Sequence, residues 1–527
     1  MTESFYLIWR NQYTKRLIRN LLCQNFIIYV NKEYLIENHR FLSVFSTKDK
    51  LDYNITIRFK GDAGDYLNIN SSNRDVINDI DIDLESDIVN FDLNEIHDGV
   101  HKLSLMIEND TINATGKLPS SITYLYLSND DFECLSFSQT ILSNLPTSLK
   151  ELELNIHQNS LSGPCIMPQS LTKLKSNRFL YYENLKWFVV PPNKVYRSCM
   201  VYIDSMESFE WLFANKWICS VQIDPNVLNI LMAQHKLPSN VTKLGVYMYD
   251  DIVLDSSFLP QTLESLTCAD VTTISHLTHL KSLTISGDYP IKLEKGDLPA
   301  SLQKLSLYYN HSLEADVLPP HLTTLYLHSY DKPLCTNVLP PRLTTLYLNN
   351  YNQPLCVNVF PSSLTDLNLG PFNHPLDPFV LPSKLKTLSI QYYTQPTFPP
   401  NSLPVSLTSL TIYGFKGSFE QCQPLDNLKT LKVDSLNPSL ATLLTNVKKL
   451  YLLVYNKRDK NDLSDIACLY NTSIKSLHIE FRCVLKTLYP NTFPPTLKYL
   501  TLVNANLKSD SVIPSGCTLL SLKFKCV

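Results

Sequence analysis

Apolar residues recur along this chain with two superposed spacings. Within a row they follow Leu-Pro-x-x-Leu-x-x-Leu-x-Leu. From row to row the figure returns after 20, 21, 21, 21 and 22 residues, with starts at 298, 318, 339, 360, 381 and 403. The last two apolar positions of a row, Leu325 and Leu327 or Leu346 and Leu348, alternate with polar residues. That alternation predicts a strand with one buried face. A strand this short cannot bury its leucines alone, so the fixed period predicts rows stacked into a continuous parallel sheet over a continuous core. Roughly ten residues remain for each return path, too few for a helix between two loops. Extended or irregular backbone is expected there.

The same frame extends in both directions. "LPSSITYLYL" begins at 118, "LPTSLKELEL" at 145, "LPSNVTKLGV" at 237 and "FPPTLKYLTL" at 493. Rows at 427–433, 446–452 and 473–479 keep the apolar spacing without the Leu-Pro step. The predicted fold is a β-rich solenoid, a parallel sheet of short strands at a period of about 21 residues. It is expected to occupy 96–527, with a small N-terminal α/β cap over 1–95.

A second set of residues shares a phase between the rows. Tyr309, Tyr330, Tyr351, Phe372 and Tyr393 fall at one position, Asn310, Asp331, Asn352 and Asn373 directly after the first four, and Pro333, Pro354, Pro375 and Pro396 shortly beyond. In a stacked array equal phase means vertical neighbours. The aromatics are expected to pile into a ribbon, and the Asn/Asp side chains to bind backbone groups at the turn. The aromatic-Asn-x-Pro-Leu figure joined to Leu-Pro-x-Ser-Leu-x-x-Leu-x-Leu resembles the FNIP repeat, a leucine-rich-repeat relative of social amoebae and giant viruses. The resemblance is specific over 298–415. It implies a leucine-rich-repeat-like solenoid and a protein-interaction role, and it supplies no catalytic residues.

The first 95 residues read differently. Phe5, Trp9, Tyr13, Leu17 and Leu21 recur at every fourth position, which predicts one amphipathic helix of about 20 residues. "DYNITIRFKG" (52–61) alternates like a strand. A cap over the exposed first rung is the expected role. The opening "FYLIWRNQYTKRLIRNLL" also resembles the leading Trp-Arg-Asn helix of many FNIP- and ankyrin-repeat chains. Some of those chains carry an F-box at this place. That alternative would make the protein a substrate-recognition subunit of a Skp1–cullin ubiquitin ligase, docking a Skp1-type adaptor through residues 1–60. Helix count separates the two: an F-box needs about three packed helices before the array, a cap one.

Composition removes several classes. Among 527 residues there are only 12 glycines against 32 prolines, which disfavours nucleotide folds built on Gly-rich turns. The 13 cysteines include no Cys-x-x-Cys pair, so no zinc site or disulfide framework is suggested. Cys335 and Cys356 share a phase and are expected to be small buried apolar residues. HExxH, GxSxG and phosphate-binding loops are absent, the histidines fall in different phases, and no enzyme, cofactor or metal is expected. The run "FIIYV" is too short to span a membrane, no secretion signal opens the chain, and a cytoplasmic location is expected.

By alternation, the strand residues that face away from the core are Tyr308, Thr324, Tyr326, His328, Thr345, Tyr347, Asn349, Asp366, Asn368 and Tyr413. They make a polar, tyrosine-bearing surface of the kind solenoids use to hold partner proteins. The net charge of −3, and the lack of interleaved Lys or Arg on this face, argue against nucleic acid as the partner.

Overall fold

A computed structural model describes residues 11–523 apart from 85–88, 109–110, 130–134, 178, 247–252, 290, 435–440, 445, 456–468, 471 and 483–484. The chain divides into two units, Met1–Tyr247 and Met248–Val527.

In the first unit seven strands lie side by side in chain order: Ile27–Val30, Thr56–Asp62, Asp79–Leu84, Lys102–Ile107, Tyr124–Asn129, Glu151–Ile156 and Lys173–Lys175. All six pairings are parallel. A second parallel run follows through Leu180–Tyr181, Met200–Ile203, Ser220–Ile223 and Lys243–Gly245. The ladder therefore starts at Ile27 and crosses residue 96 without a break. Ile80, Ile82 and Leu84 pair in register with Leu103, Leu105 and Ile107, and all six are buried. The acidic stretch "DIDIDL" is thus a rung, its aspartates on one face and its apolar residues on the other.

Return paths in this unit hold helices, contrary to the irregular backbone expected from the short period. Lys32–Leu42, Thr47–Asp52, Leu135–Ser143, Met206–Ala214 and Pro225–Gln234 are helical. Around the first three the paired rows stand 29 and 27 residues apart (Ile27 to Thr56, Tyr124 to Glu151), but Met206–Ala214 and Pro225–Gln234 fit row spacings of only 20 and 23 (Met200 to Ser220, Ser220 to Lys243), so a short period does hold two turns. The leading helix is shorter than predicted. It runs Gln12–Leu22 because the Asn11 side chain accepts from the amides of Tyr13 and Thr14 and so starts it. Phe5 and Trp9 lie outside the described residues. The helix also turns its polar side inward: Asn20 is buried, while Tyr13, Leu21 and Leu22 are exposed. Among the described residues three helices precede the strand Thr56–Asp62, and the strand Ile27–Val30 separates the first of them from the other two.

The second unit matches the periodic prediction closely. From Ser265–Cys268 through Lys304–Tyr308, Thr324–Leu327, Thr345–Leu348, Asp366–Asn368, Thr387–Ile390, Ser409–Ile412 and Thr430–Val433 to Lys449–Tyr455, Ser476–Arg482, Tyr499–Val503 and Thr518–Lys523, every pairing is parallel. Leu305, Leu325, Leu346, Leu367, Leu388, Leu410, Leu431, Leu450, Leu477 and Leu500 form one buried column. Each Leu-Pro step makes a turn in which the proline carbonyl accepts from the amide three residues on, as Pro319 from Leu322 and Pro340 from Leu343 (3.1 Å each).

The aromatic ribbon is present. Rings of Tyr309, Tyr330, Tyr351, Phe372 and Tyr393 stack within 8° of parallel at 6.3–6.5 Å. Beside it, the side-chain oxygens of Asn310, Asp331, Asn352 and Asn373 accept in turn from the amides of Asp331, Asn352, Asn373 and Thr394 at 2.8–3.0 Å. Strands in a sheet are about 4.8 Å apart, less than the ring spacing, so these rungs diverge from the sheet toward the ribbon. Cys335 and Cys356 are exposed rather than buried. Each follows a buried leucine, Leu334 and Leu355, and turns outward where the chain leaves the core.

Candidate interaction surface

Because the buried leucines fix the register, the intervening residues of successive strands come to lie one above another on the exposed face. Tyr326 pairs with Tyr347 and Thr324 with Thr345. One step further along the strands, Tyr308, His328 and Asn349 form a second column, set by the pairing of Leu307 with Leu327 and Leu327 with Leu348.

The aromatic members touch. The rings of Tyr326 and Tyr347 stack at 4.7 Å and 24°, and Tyr308 stacks on His328 at 4.7 Å and 28°. Tyr326 and His328 lie 6.4 Å apart, which joins the two pairs. The Lys304 ammonium sits 5.5 Å from the centre of the Tyr326 ring, within cation–π range. His328 is held from both sides. Asn349 Nδ2 donates to its Nδ1 at 2.9 Å, and its Nε2 lies 2.9 Å from Ser306 Oγ. An acceptor Nδ1 requires the neutral ring to carry its proton on Nε2 and to donate to Ser306. Burial lowers the His328 pKa from its ordinary value, in keeping with that neutral form. Burial likewise raises the Tyr347 phenol, with Tyr326 and Asp366 adding to the shift.

Tyr308, Tyr326, His328, Tyr347 and Asn349 thus form one cluster, with Thr324 and Thr345 half-buried beside it. Asp366 continues the column above Thr345 and accepts from Thr365 Oγ1 at 2.7 Å. Asn368 stands above Tyr347, but its side chain is taken up by the amide of Gly370 at 2.9 Å. Tyr413 lies apart, since Gly370 and Gln391 occupy the intervening rungs of its column. Lys304 and Ser306, which complete the cluster, are absent from the alternation-based set. Their positions directly under Thr324 and Tyr326 were the available signal.

Among the described residues no group of three His, Cys, Asp or Glu side chains is placed to hold a metal ion, and no helix is long and apolar enough to cross a membrane.

The fold is a parallel β-solenoid of leucine-rich-repeat type. Within it, residues 289–415 are FNIP repeats, matching the FNIP Repeat family in five overlapping windows, 289–330, 309–351, 330–371, 351–393 and 372–415. No curated protein sequence matches the chain. Among solved structures it is similar to the circular leucine-rich-repeat protein CroV588, at 16% identity and a TM-score of 0.35, covering 84% of this chain and 79% of that one. It is also similar to the plant peptide hormone receptor RGFR1 in complex with RGF2, at 15% identity and a TM-score of 0.27, covering 77% and 71%. The Drosophila Toll–Spatzle complex is similar at 13% identity and a TM-score of 0.30, covering 90% and 82%.

Proposed function

We propose that this chain is a non-catalytic protein-interaction module whose partner rests on the exposed face of Lys304–Tyr308, Thr324–Leu327 and Thr345–Leu348. One observation carries this reading: the two stacked pairs, Tyr308 with His328 and Tyr326 with Tyr347, are joined into a single cluster and held by Ser306 and Asn349. Aromatic side chains held in place before binding lose little conformational freedom on contact, which is why they dominate interface energetics. The test is affinity capture from the native cell, followed by mass spectrometry, with wild type and Tyr326→Ala/Tyr347→Ala. Partners enriched on wild type and lost from a variant that melts at the same temperature support the reading. Unchanged partners on the variant sink it.

A second reading concerns residues 1–60, where a Skp1-type adaptor would dock and make the chain a ubiquitin-ligase subunit. The apolar side chains Tyr13, Leu21 and Leu22 on the first helix and Ile36 and Phe41 on the second, all exposed, are what favours it. The strand between those helices counts against a compact helical adaptor domain. Capture of a cullin complex by the full chain, abolished in Leu21→Asp/Leu22→Asp, is the outcome this reading requires.

A further inference from the structure

The column that enters each strand of the second unit changes its chemistry along the array. One unbroken series of backbone hydrogen bonds links Thr323, Thr344, Thr365, Lys386, Thr408, Lys429, Lys448, Lys475 and Lys498, each amide donating to the carbonyl before it at 2.8–2.9 Å. Of the first five, all but Lys386 are threonines; the last four are all lysines, on four adjacent strands. Each of the four is exposed. None has an ion-pair partner among the described residues. The strands that follow them turn outward first Thr430, Lys449, Ser476 and Tyr499, and two positions further Lys432, Tyr451, His478 and Thr501. No Asp or Glu occurs in any of these three columns from Lys429 onward. The absence of basic residues expected for the exposed face fails here, as it does at Lys304 over the Tyr326 ring.

We propose that Lys429, Lys448, Lys475 and Lys498 form a docking ladder for an acidic α-helix of a partner protein, lying along the solenoid axis across the strands. Adjacent lysines stand one strand spacing apart, about 4.7–4.9 Å, so three steps cover about 14–15 Å. On a helix, carboxylates three or four residues apart advance about 4.5–6 Å per step, and four of them in one stripe keep pace with four lysines. An extended peptide advances about 6.6–6.8 Å between same-face residues, and would be out of step by about 5 Å at the fourth lysine. Single-stranded nucleic acid is held by open ring faces between cations. Here the ring of Tyr451 is covered by Lys432 at 5.0 Å and tilted against His478 at 5.8 Å. Tyr499, half exposed, offers apolar contact beside the last lysine. Four like charges in a row repel one another, and a row of carboxylates removes that repulsion on binding. This surface is separate from the Tyr326–Tyr347 cluster, and its test leaves that cluster intact.

The experiment is fluorescence anisotropy on the full chain with three labelled probes. One is an alanine-rich peptide of about 20 residues, long enough to be helical alone, with its glutamates in one stripe. The second is an isomer with the same glutamates spread around the helix. The third is a single-stranded oligothymidine of similar charge. The stripe peptide is expected to bind most tightly, about tenfold better than its isomer. It should weaken steeply between about 50 and about 200 mM salt and be lost in Lys448→Glu/Lys475→Glu. That variant should melt no lower than wild type, because it relieves repulsion. Equal binding of the two peptides, tighter binding of the oligonucleotide, or full retention of binding by the folded double variant would each overturn the proposal.

Discussion

The ring of Tyr351 lies within 7° of parallel to that of Phe372 at 6.3 Å, and the two differ by a single hydroxyl. The buried Tyr351 hydroxyl faces the Leu334 backbone amide, as the hydroxyls of Tyr330 and Tyr393 in the same ribbon face those of Leu313 and Leu376. Tyr309, at the start of the row, is met in the same way by the Leu293 amide at 3.3 Å. A buried polar group left unpaired costs about 1–3 kcal/mol. Tyr351→Phe, which takes the acceptor from the Leu334 amide, is therefore expected to destabilise the chain by about 1 kcal/mol in urea unfolding, and Phe372→Tyr, which adds a hydroxyl at the equivalent place, to cost nothing. Unchanged stability in Tyr351→Phe would show that the hydroxyl carries none of it.

Phe379 breaks a rule the other turns obey. In the rows that start at 298, 318, 339, 360, 381 and 403, the residue three before the proline has positive φ: 63° at Asp316, 64° at Asn337, 66° at Asn358 and 64° at Asn401, with Gly296 at 99°. Asn, Asp and Gly tolerate this region, whereas other side chains pay about 1–2 kcal/mol. Phe379 adopts φ 63° and is 69% exposed, so its ring gains little from burial. Phe379→Asn should raise the thermal midpoint and add about 1 kcal/mol. Phe379→Val should lower it.

The first helix is joined to the body through Asp49. Burial by itself raises the pKa of this carboxyl, but bonds from Arg16, Ser46 and Asn20 outweigh it and hold the value at about 2. Arg16 Nε lies 2.9 and 3.1 Å from the two oxygens. An aspartate depressed from about 3.9 when unfolded contributes stability that is present above that value and lost as pH falls toward the folded one. The melting temperature of Asp49→Asn should therefore lie below wild type at pH 6, and the difference should close as pH falls from about 4 to about 2. An unchanged difference at the lowest pH would mean that charge plays no part in this joint.

Asp331 serves two neighbours, accepting from the Asn352 amide at 2.9 Å and from Gln353 Nε2 at 3.0 Å. Its counterparts one rung away are Asn310 and Asn352. Asp331→Asn is expected to be neutral and Asp331→Ala to cost about 1 kcal/mol, measured by chemical denaturation. Equal stability of all three would remove the side-chain ladder as a stabilising element.

What the sequence made legible follows from which features repeat. Leu325, Leu346 and Leu367 recur in step with one another and with the Tyr–Asn pairs, so strand register, ribbon and ladder could all be read from spacing. The helices of the first unit could not, because a return path is constrained only to close and not to repeat. Ile27–Val30 and Asp79–Leu84 lack the Leu-Pro step, a property of the turn and not of the strand, and so looked foreign to the array. On the exposed face, Tyr326 and Tyr347 stood out because their rows are nearly identical. Lys429, Lys448, Lys475 and Lys498 sit in rows of unequal length, and their alignment needs the hydrogen-bonded register to be seen.

The ladder from Asn310 to Thr394 has one more consequence. Every joint along it is made the same way, by a side-chain oxygen on one rung and a backbone amide on the next. A rung copied or excised whole leaves two ends that still fit, while loss of a few residues leaves ends that do not. Length in this part of the chain is therefore heritable in whole coils, and gene duplication can extend the surface it carries without redesigning a single contact.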